Sequence, residues 1–216
     1  MFCRGQGRLK MNLKTILRKV FGFLNFRTMI QVAFWWLWFR RNRVFFIFEG
    51  REYTYGEVYQ QSLRYAHFFL SVRKKLVEGG KLNKDQRLSF GVYMDNNPEF
   101  LFASFGAGLS NSVLFAINSG FRGETLARVM DQAQISFLMI NENTLKEVQD
   151  VISEVKVIGR ENVYFVGEKK PFQSTGFQSL EDAVAQAALL EVPKRYQVKI
   201  DNFSPVIVIY TSGTSG

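Results

Sequence analysis

The residues with the densest potential for chemistry form the run Tyr210-Thr211-Ser212-Gly213-Thr214-Ser215-Gly216. Glycines let a backbone approach a phosphate closely, and consecutive N–H groups can form an anion-binding nest. The Thr and Ser hydroxyls can add hydrogen bonds or reach a Mg²⁺. The run is not a Walker A loop, which requires a Gly-Lys-Ser/Thr ending that is absent. The competing reading is a flexible Ser/Gly-rich tail. The run, however, directly follows the β-branched segment 206–210, and open α/β sheets bind ligands just beyond the ends of such strands. Its work there would be electrostatic, holding phosphate charge. The residues offer no catalytic group for proton transfer and no metal-ligand cluster.

Such a loop needs a sheet to carry it. Val44–Phe48 reads as a short strand, with a turn at Gly50 before 51–53. Thr54 followed three residues later by Glu57 forms a capping box, predicting a helix from Tyr55 to the Gly79-Gly80 pair. A strand over 88–94 precedes Asn97-Pro98-Glu99, which supplies an N-cap, a proline at N1 and an acid in the first turn of a helix over 98–109. Then follow a strand (113–117), a helix (122–132), a strand (136–140), a helix (143–153), a strand (162–166), a helix (179–190) and the last strand (206–210). Strand–helix alternation at this spacing predicts an α/β fold with a largely parallel sheet and flanking helices.

The terminal run resembles the phosphate-binding signature of the adenylate-forming superfamily, which contains acyl-CoA synthetases, luciferases and peptide-synthetase adenylation domains. Tyr53-Thr54-Tyr55 with Glu57 resembles that family's "Thr-Tyr-x-Glu-Leu" helix start, and Asn97-Pro98-Glu99-Phe100 its "Asn-x-x-Glu-Phe" turn. A Gly/Ala-rich helix follows in both, with Ala103, Gly106, Ala107 and Gly108 here. Ala116-Ile117-Asn118 resembles the "x-x-Asn-Pro" strand end, Ser119 standing in place of proline. The basic aromatic N-terminus and the segment Asn118-Ser119-Gly120-Phe121-Arg122 are most similar to the very-long-chain acyl-CoA synthetases, or fatty acid transport proteins. The resemblance covers about residues 45–216 and implies the N-terminal part of that family's large domain.

It further implies ATP, Mg²⁺ and CoA as cofactors, a long- or very-long-chain fatty acid as substrate, and an acyl-AMP intermediate. Tyr210 to Gly216 would be the nucleotide-binding residues, with CoA held mainly by regions beyond this sequence. The motif's following Pro and Lys, the later Thr/Glu motif, the ribose-binding aspartate and the C-terminal catalytic lysine are not in these 216 residues. The expectation is therefore a fragment of a synthetase that forms no acyl-AMP by itself. Two alternatives stand beside this reading: a non-catalytic, membrane-anchored lipid-handling protein that retains the fold, or a ligase for an aryl or amino acid.

Charge divides the chain. The formal net charge is +9, yet eleven of the 28 basic residues and one of the 19 acidic residues lie in 1–51, leaving 17 against 18 in the remainder. A nucleic-acid-binding domain would carry its cations as a stripe on the folded body, so this balance argues against a nucleic acid partner. A single cysteine, Cys3, excludes a disulfide framework.

The expected organisation is thus a basic, hydrophobic membrane-associated segment, 1–44, followed by the AMP-binding portion, 45–216. The twenty residues Val20 to Phe39 carry ten Leu, Ile, Phe or Val residues and the cluster Phe34, Trp35, Trp36, Trp38, Phe39. The apolar residues favour insertion by roughly 3–6 kcal/mol and the central Arg27 opposes it by about 2.5–3.5, with Asn25, Gln31 and Gly22 removing more. Both flanks are basic. A span oriented by the positive-inside rule would place the ATP-using domain outside, which favours an interfacial segment over a spanning one. Localisation is expected to be membrane-associated, peripheral or single-pass, with the synthetase domain facing the cytoplasm. The competing arrangement is an aromatic helix or strand packed on the main domain. His67, with no ligand partner in sequence, reads as structural, and Asp95 with Glu99 as helix capping and dipole compensation. Arg73-Lys74-Lys75 reads as a solvated helix end.

Overall fold

Two apolar cores, one on each face of a parallel sheet, organise the chain. The computed structural model describes residues 29–167, 174–188 and 205–210. In chain order these form α1 (Met29–Phe39), β1 (Val44–Phe48), β2 (Arg51–Thr54), α2 (Tyr55–Glu78), β3 (Ser89–Tyr93), α3 (Pro98–Ser110), β4 (Val113–Ala116) and α4 (Gly123–Ala133). They continue as β5 (Leu138–Ile140), α5 (Leu145–Val151), β6 (Val163–Phe165), β7 (Gln178–Ser179), α6 (Leu180–Ala188) and β8 (Ile207–Ile209), with 3₁₀ turns at Glu142–Thr144 and Arg160–Asn162.

The main sheet has the order β7-β6-β5-β3-β4-β8 and every pairing is parallel. This is the α/β architecture expected from strand–helix alternation. Its side chains alternate between faces. Phe90, Val92 and Met139 join the core containing Leu37 of α1, Phe69 of α2, Ala103 of α3 and Leu180 of α6. Tyr93, Leu138 and Ile140 join the opposite core with Leu126 and Met130 of α4 and Val148 of α5. A strand buried on both faces must be apolar throughout, and β5, Leu-Met-Ile, is.

β1 and β2 form a separate antiparallel hairpin outside that sheet. Glu49 (φ 49°) and Gly50 (φ 79°) give it the two positive φ values of a type I′ turn, whose twist suits a tight hairpin. The predicted capping box is present. The Glu57 amide donates to Thr54 Oγ1 at 3.1 Å, and Glu57 Oε2 accepts from the Thr54 amide at 2.7 Å. That second bond above all holds the Glu57 carboxyl below its ordinary range.

Three expectations change. The helix expected over 143–153 splits into a 3₁₀ turn and the short α5, because the Thr144 hydroxyl turns back to donate to the Tyr93 carbonyl at 2.8 Å. The strand expected over 136–140 begins at Leu138. The two-residue β7, which no alternation pattern announced, pairs with β6 at the sheet edge.

The aromatic segment ending at Phe39 is a helix in its described part, Met29–Phe39. Leu37 is only 2% exposed and belongs to the α2–α3 core. The helix is therefore seated on the domain, while Trp36, Trp38 and Phe39 remain exposed. Among the described residues no helix is long and apolar enough to cross a membrane. The rest of the stretch considered as a span, residues 20–28, lies outside the described residues.

Candidate functional site at the C-terminal sheet edge

All six strands of the main sheet end at one edge. The loop after β3 leads to α3 in one core, and the loop after adjacent β4 leads to α4 in the other. Where connections leave neighbouring strands in opposite directions, a crevice opens at their C-terminal ends.

β8 brings Tyr210, the first residue of the sequence-predicted loop, to this edge. It pairs with β4, and the Tyr210 amide extends the ladder by donating to the Ala116 carbonyl at 3.0 Å. The half-buried Tyr210 ring lies 6.1 Å from that of Phe115. Tyr210 is the one predicted binding residue that the structure places; Thr211, Ser212, Gly213, Thr214, Ser215 and Gly216 lie outside the described residues. Their donor set of backbone N–H groups and hydroxyls suits phosphate oxygens.

Beside Tyr210 and its β4 partner, the segment 118–122 is held by a polar network. The Gly120 amide donates to Asn118 Oδ1 at 2.8 Å. Arg122 Nη1 donates to Tyr93 Oη at 2.9 Å, to the Phe121 carbonyl at 2.8 Å, and to the Ser119 carbonyl. Arg122 Nε pairs with Glu147 Oε1 at 3.2 Å. The Tyr93 hydroxyl donates to the Phe121 carbonyl at 2.7 Å. Burial, more than any neighbour, raises the Tyr93 phenol, against the pull of Arg122, so it stays protonated and able to donate. The end of β3 is likewise stitched to the segment after β5, since Asn143 Nδ2 donates to Asp95 Oδ2 at 2.9 Å.

Asp95 and Glu99 are engaged separately. Asn97, not Asp95, caps α3, its Oδ1 accepting from the Phe100 amide at 3.0 Å. Glu99 lies in the first turn of α3, where burial raises its carboxyl and Arg51 partly restores it. It faces a separate cavity of about 550 Å³ shared with Arg51, Glu57, Arg64 and Glu181. Burial lowers the imidazole of His67, with no charged partner contributing. Among the described residues no group of three His, Cys, Asp or Glu side chains could hold a metal.

Sequence reasoning singled out 118–122 but missed Tyr93 and Glu147. Tyr93 carried a weak signal, a polar-tipped aromatic at a strand end. Glu147 carried none, because only the fold brings it to Arg122.

A family model described as "AMP-binding enzyme" matches residues 36–216. The chain is similar to long-chain fatty acid transport protein 6 of Homo sapiens, 27% identical over 175 residues, covering 81% of this chain and 26% of that protein. It thus spans about a quarter of that relative's length. Among solved structures, a benzoate CoA ligase from Burkholderia xenovorans matches 82% of this chain and 32% of its own, with TM-score 0.62 and 12% identity. A long-chain-fatty-acid-CoA ligase from Archaeoglobus fulgidus matches 86% of this chain and 35% of its own, with TM-score 0.58 and 12% identity. These likenesses show the fold, that of the N-terminal domain of acyl-CoA ligases.

Proposed function

We propose a ligase function for this chain, which belongs to the AMP-binding enzyme family. It is the phosphate-loop-bearing part of an enzyme that joins a long- or very-long-chain fatty acid to CoA at the expense of ATP. The observation that carries this reading is the delivery of Tyr210 to the C-terminal sheet edge, paired to the end of β4, with the Thr/Ser/Gly run directly following.

In that reaction a carboxylate oxygen of the acid attacks the α-phosphorus of ATP and pyrophosphate leaves. The CoA sulfur then attacks the acyl carbonyl and AMP leaves. Tyr210 to Gly216 would hold the β- and γ-phosphates with backbone N–H groups and hydroxyls, strengthening their grip as charge moves onto pyrophosphate. Mg²⁺, if shared with a Thr or Ser hydroxyl, would neutralise the same charge. Arg122, Tyr93 and Glu147 would keep segment 118–122 fixed beside the loop. The acid–base and CoA-binding groups would come from the remainder of the enzyme. Residues 1–44 would attach it to a membrane, with the ligase portion, 45–216, on the cytoplasmic side.

The test is long-chain-acid-dependent ATP–pyrophosphate exchange by the protein expressed from its natural reading frame. Gly213→Val, whose side chain would hold the backbone off the phosphate, should lower the exchange about 100-fold or more, the scale of losing one charge-stabilising contact. Exchange that proceeds with an aryl acid but not a fatty acid would reassign the substrate. Exchange indifferent to Gly213→Val would remove the loop from the site.

A further inference from the structure

The C-terminal turn of α1 and the linker that follows it present a surface that the ligase chemistry does not use. Trp36, Trp38 and Phe39 are 42%, 52% and 62% exposed. Arg40, Arg41 and Arg43 are interleaved with them and also exposed. The Arg40 guanidinium lies 4.8 Å from the centroid of the Trp36 ring, and that of Arg41 lies 5.9 Å from Trp38. Such pairs hold cation and ring together in one orientation.

The surface is built into the fold. Leu37 anchors the helix in the core, and the arginine linker is pinned to the start of α2. The Gly56 amide donates to the Arg41 carbonyl and the Tyr55 amide to the Arg43 carbonyl, each at 2.9 Å.

We propose that the C-terminal turn of α1 and the linker 40–43 form a preformed docking surface for the anionic headgroup layer of a lipid bilayer. Tryptophan settles at headgroup level, with its ring in the apolar boundary and its N–H in the wet layer. Guanidinium groups beside it meet lipid phosphate and carboxylate. Charge selects this occupant. Residues 1–48 hold ten cations and no acid, so a second copy meeting the same face would set three arginines against three. The proposal deepens the membrane attachment suggested above by naming the side chains and the lipid chemistry, and it does not depend on the ligase reaction.

The chain's three tryptophans are Trp35, Trp36 and Trp38, so selectively excited tryptophan emission reports on α1 alone and is blind to residues 1–28. The whole chain is titrated with vesicles of phosphatidylcholine containing phosphatidylserine, with pure phosphatidylcholine vesicles, and with both carrying lipids brominated just below the headgroup. The expected result is a blue shift and bromine quenching on the anionic vesicles that weaken with salt and are much smaller on the neutral ones. Each cation near an anionic surface strengthens partitioning about fivefold, so R40Q/R41Q/R43Q should weaken it about 100-fold. Circular dichroism and urea midpoint should stay at the parent's values, since these side chains are exposed.

Co-sedimentation with vesicles without a fluorescence change would overturn the proposal, because the tail alone would then be binding. So would equal binding to neutral vesicles, no binding at all, or an unaffected triple variant. Self-association in light scattering that the triple variant abolishes, with vesicle binding intact, would assign the face to a second copy instead. None of these readouts involves ATP, so failure here leaves the ligase reading standing, and the reverse.

Discussion

Replacing Arg122 with glutamine should release the segment that follows β4, and the size of the effect can be worked from the geometry. Nη1 offers two hydrogens to three acceptors, the Ser119 and Phe121 carbonyls and the Tyr93 hydroxyl, so the side chain loses about two hydrogen bonds. Nε adds the ion pair with Glu147. A net hydrogen bond contributes about 1 kcal/mol. With Arg122 54% exposed and Glu147 21% exposed, the ion pair adds only about 0.5–1 kcal/mol. Glu147 Oε2 is already buried without a partner, so its carboxylate would then lose its remaining charge contact.

The expected loss on Arg122→Gln is about 2–3 kcal/mol. Glu147→Gln keeps the shape, removes the charge and should cost about 1 kcal/mol. The two are in contact, so the double variant should be less damaged than the sum of the singles, by about 0.5–1 kcal/mol. Urea unfolding followed by far-ultraviolet circular dichroism measures all four corners of this cycle. An Arg122→Gln chain within about 0.5 kcal/mol of the parent, the range of an ordinary surface change, or zero coupling, would refute the network as the device that holds the segment.

Other outcomes follow from the same physics. Thr54→Ala removes the α2 cap and should cost about 1 kcal/mol by urea midpoint. Glu57→Gln should cost stability at neutral pH, and the deficit should shrink as pH falls below 4.5 towards the lowered value of the folded carboxyl. A depressed acid stabilises above its unfolded value and loses that contribution as it protonates, so a deficit independent of pH would contradict the assignment. Gly106→Ala should destabilise despite a gain of roughly 1 kcal/mol in helix propensity. The new Cβ would stand 2.9 Å from Tyr65 Cβ and 3.1 Å from the Ala66 backbone nitrogen, and prising α2 from α3 costs about 1–3 kcal/mol. A more stable Gly106→Ala chain would mean that the helices are not in that contact. Leu37→Ala should cost about 2–5 kcal/mol, as core truncations do; an unchanged midpoint would mean that α1 is not seated on the domain.

The sequence by itself determined the features whose cause is local. The Thr54/Glu57 capping box, the Asn97-Pro98 helix start and the apolar strands were legible because each depends on residues within one turn or one strand of each other. Alternation of those elements was enough for a parallel sheet, since parallel strands require crossovers of that length. The terminal Thr/Ser/Gly run offers phosphate-binding donors directly after a strand, and the role proposed for it rests on those donor groups and that place in the sequence. Strand order, by contrast, came only with the tertiary structure. β3 sits between β4 and β5, and β8 returns to pair with β4, which depends on packing across more than ninety residues of chain. The same holds for Tyr93, Arg122 and Glu147, which are 29 and 25 residues apart in sequence and meet only because β3 and β4 end at one edge while α5 packs beneath. The aromatic segment shows the division most plainly. Composition marked it as seeking an interface, but a pattern of Trp, Phe and Leu cannot say which side chain turns inward. Packing against α2 and α3 buried Leu37 and left Trp36, Trp38 and Phe39 outside, because a helix seated on a core can bury only the stripe that faces it.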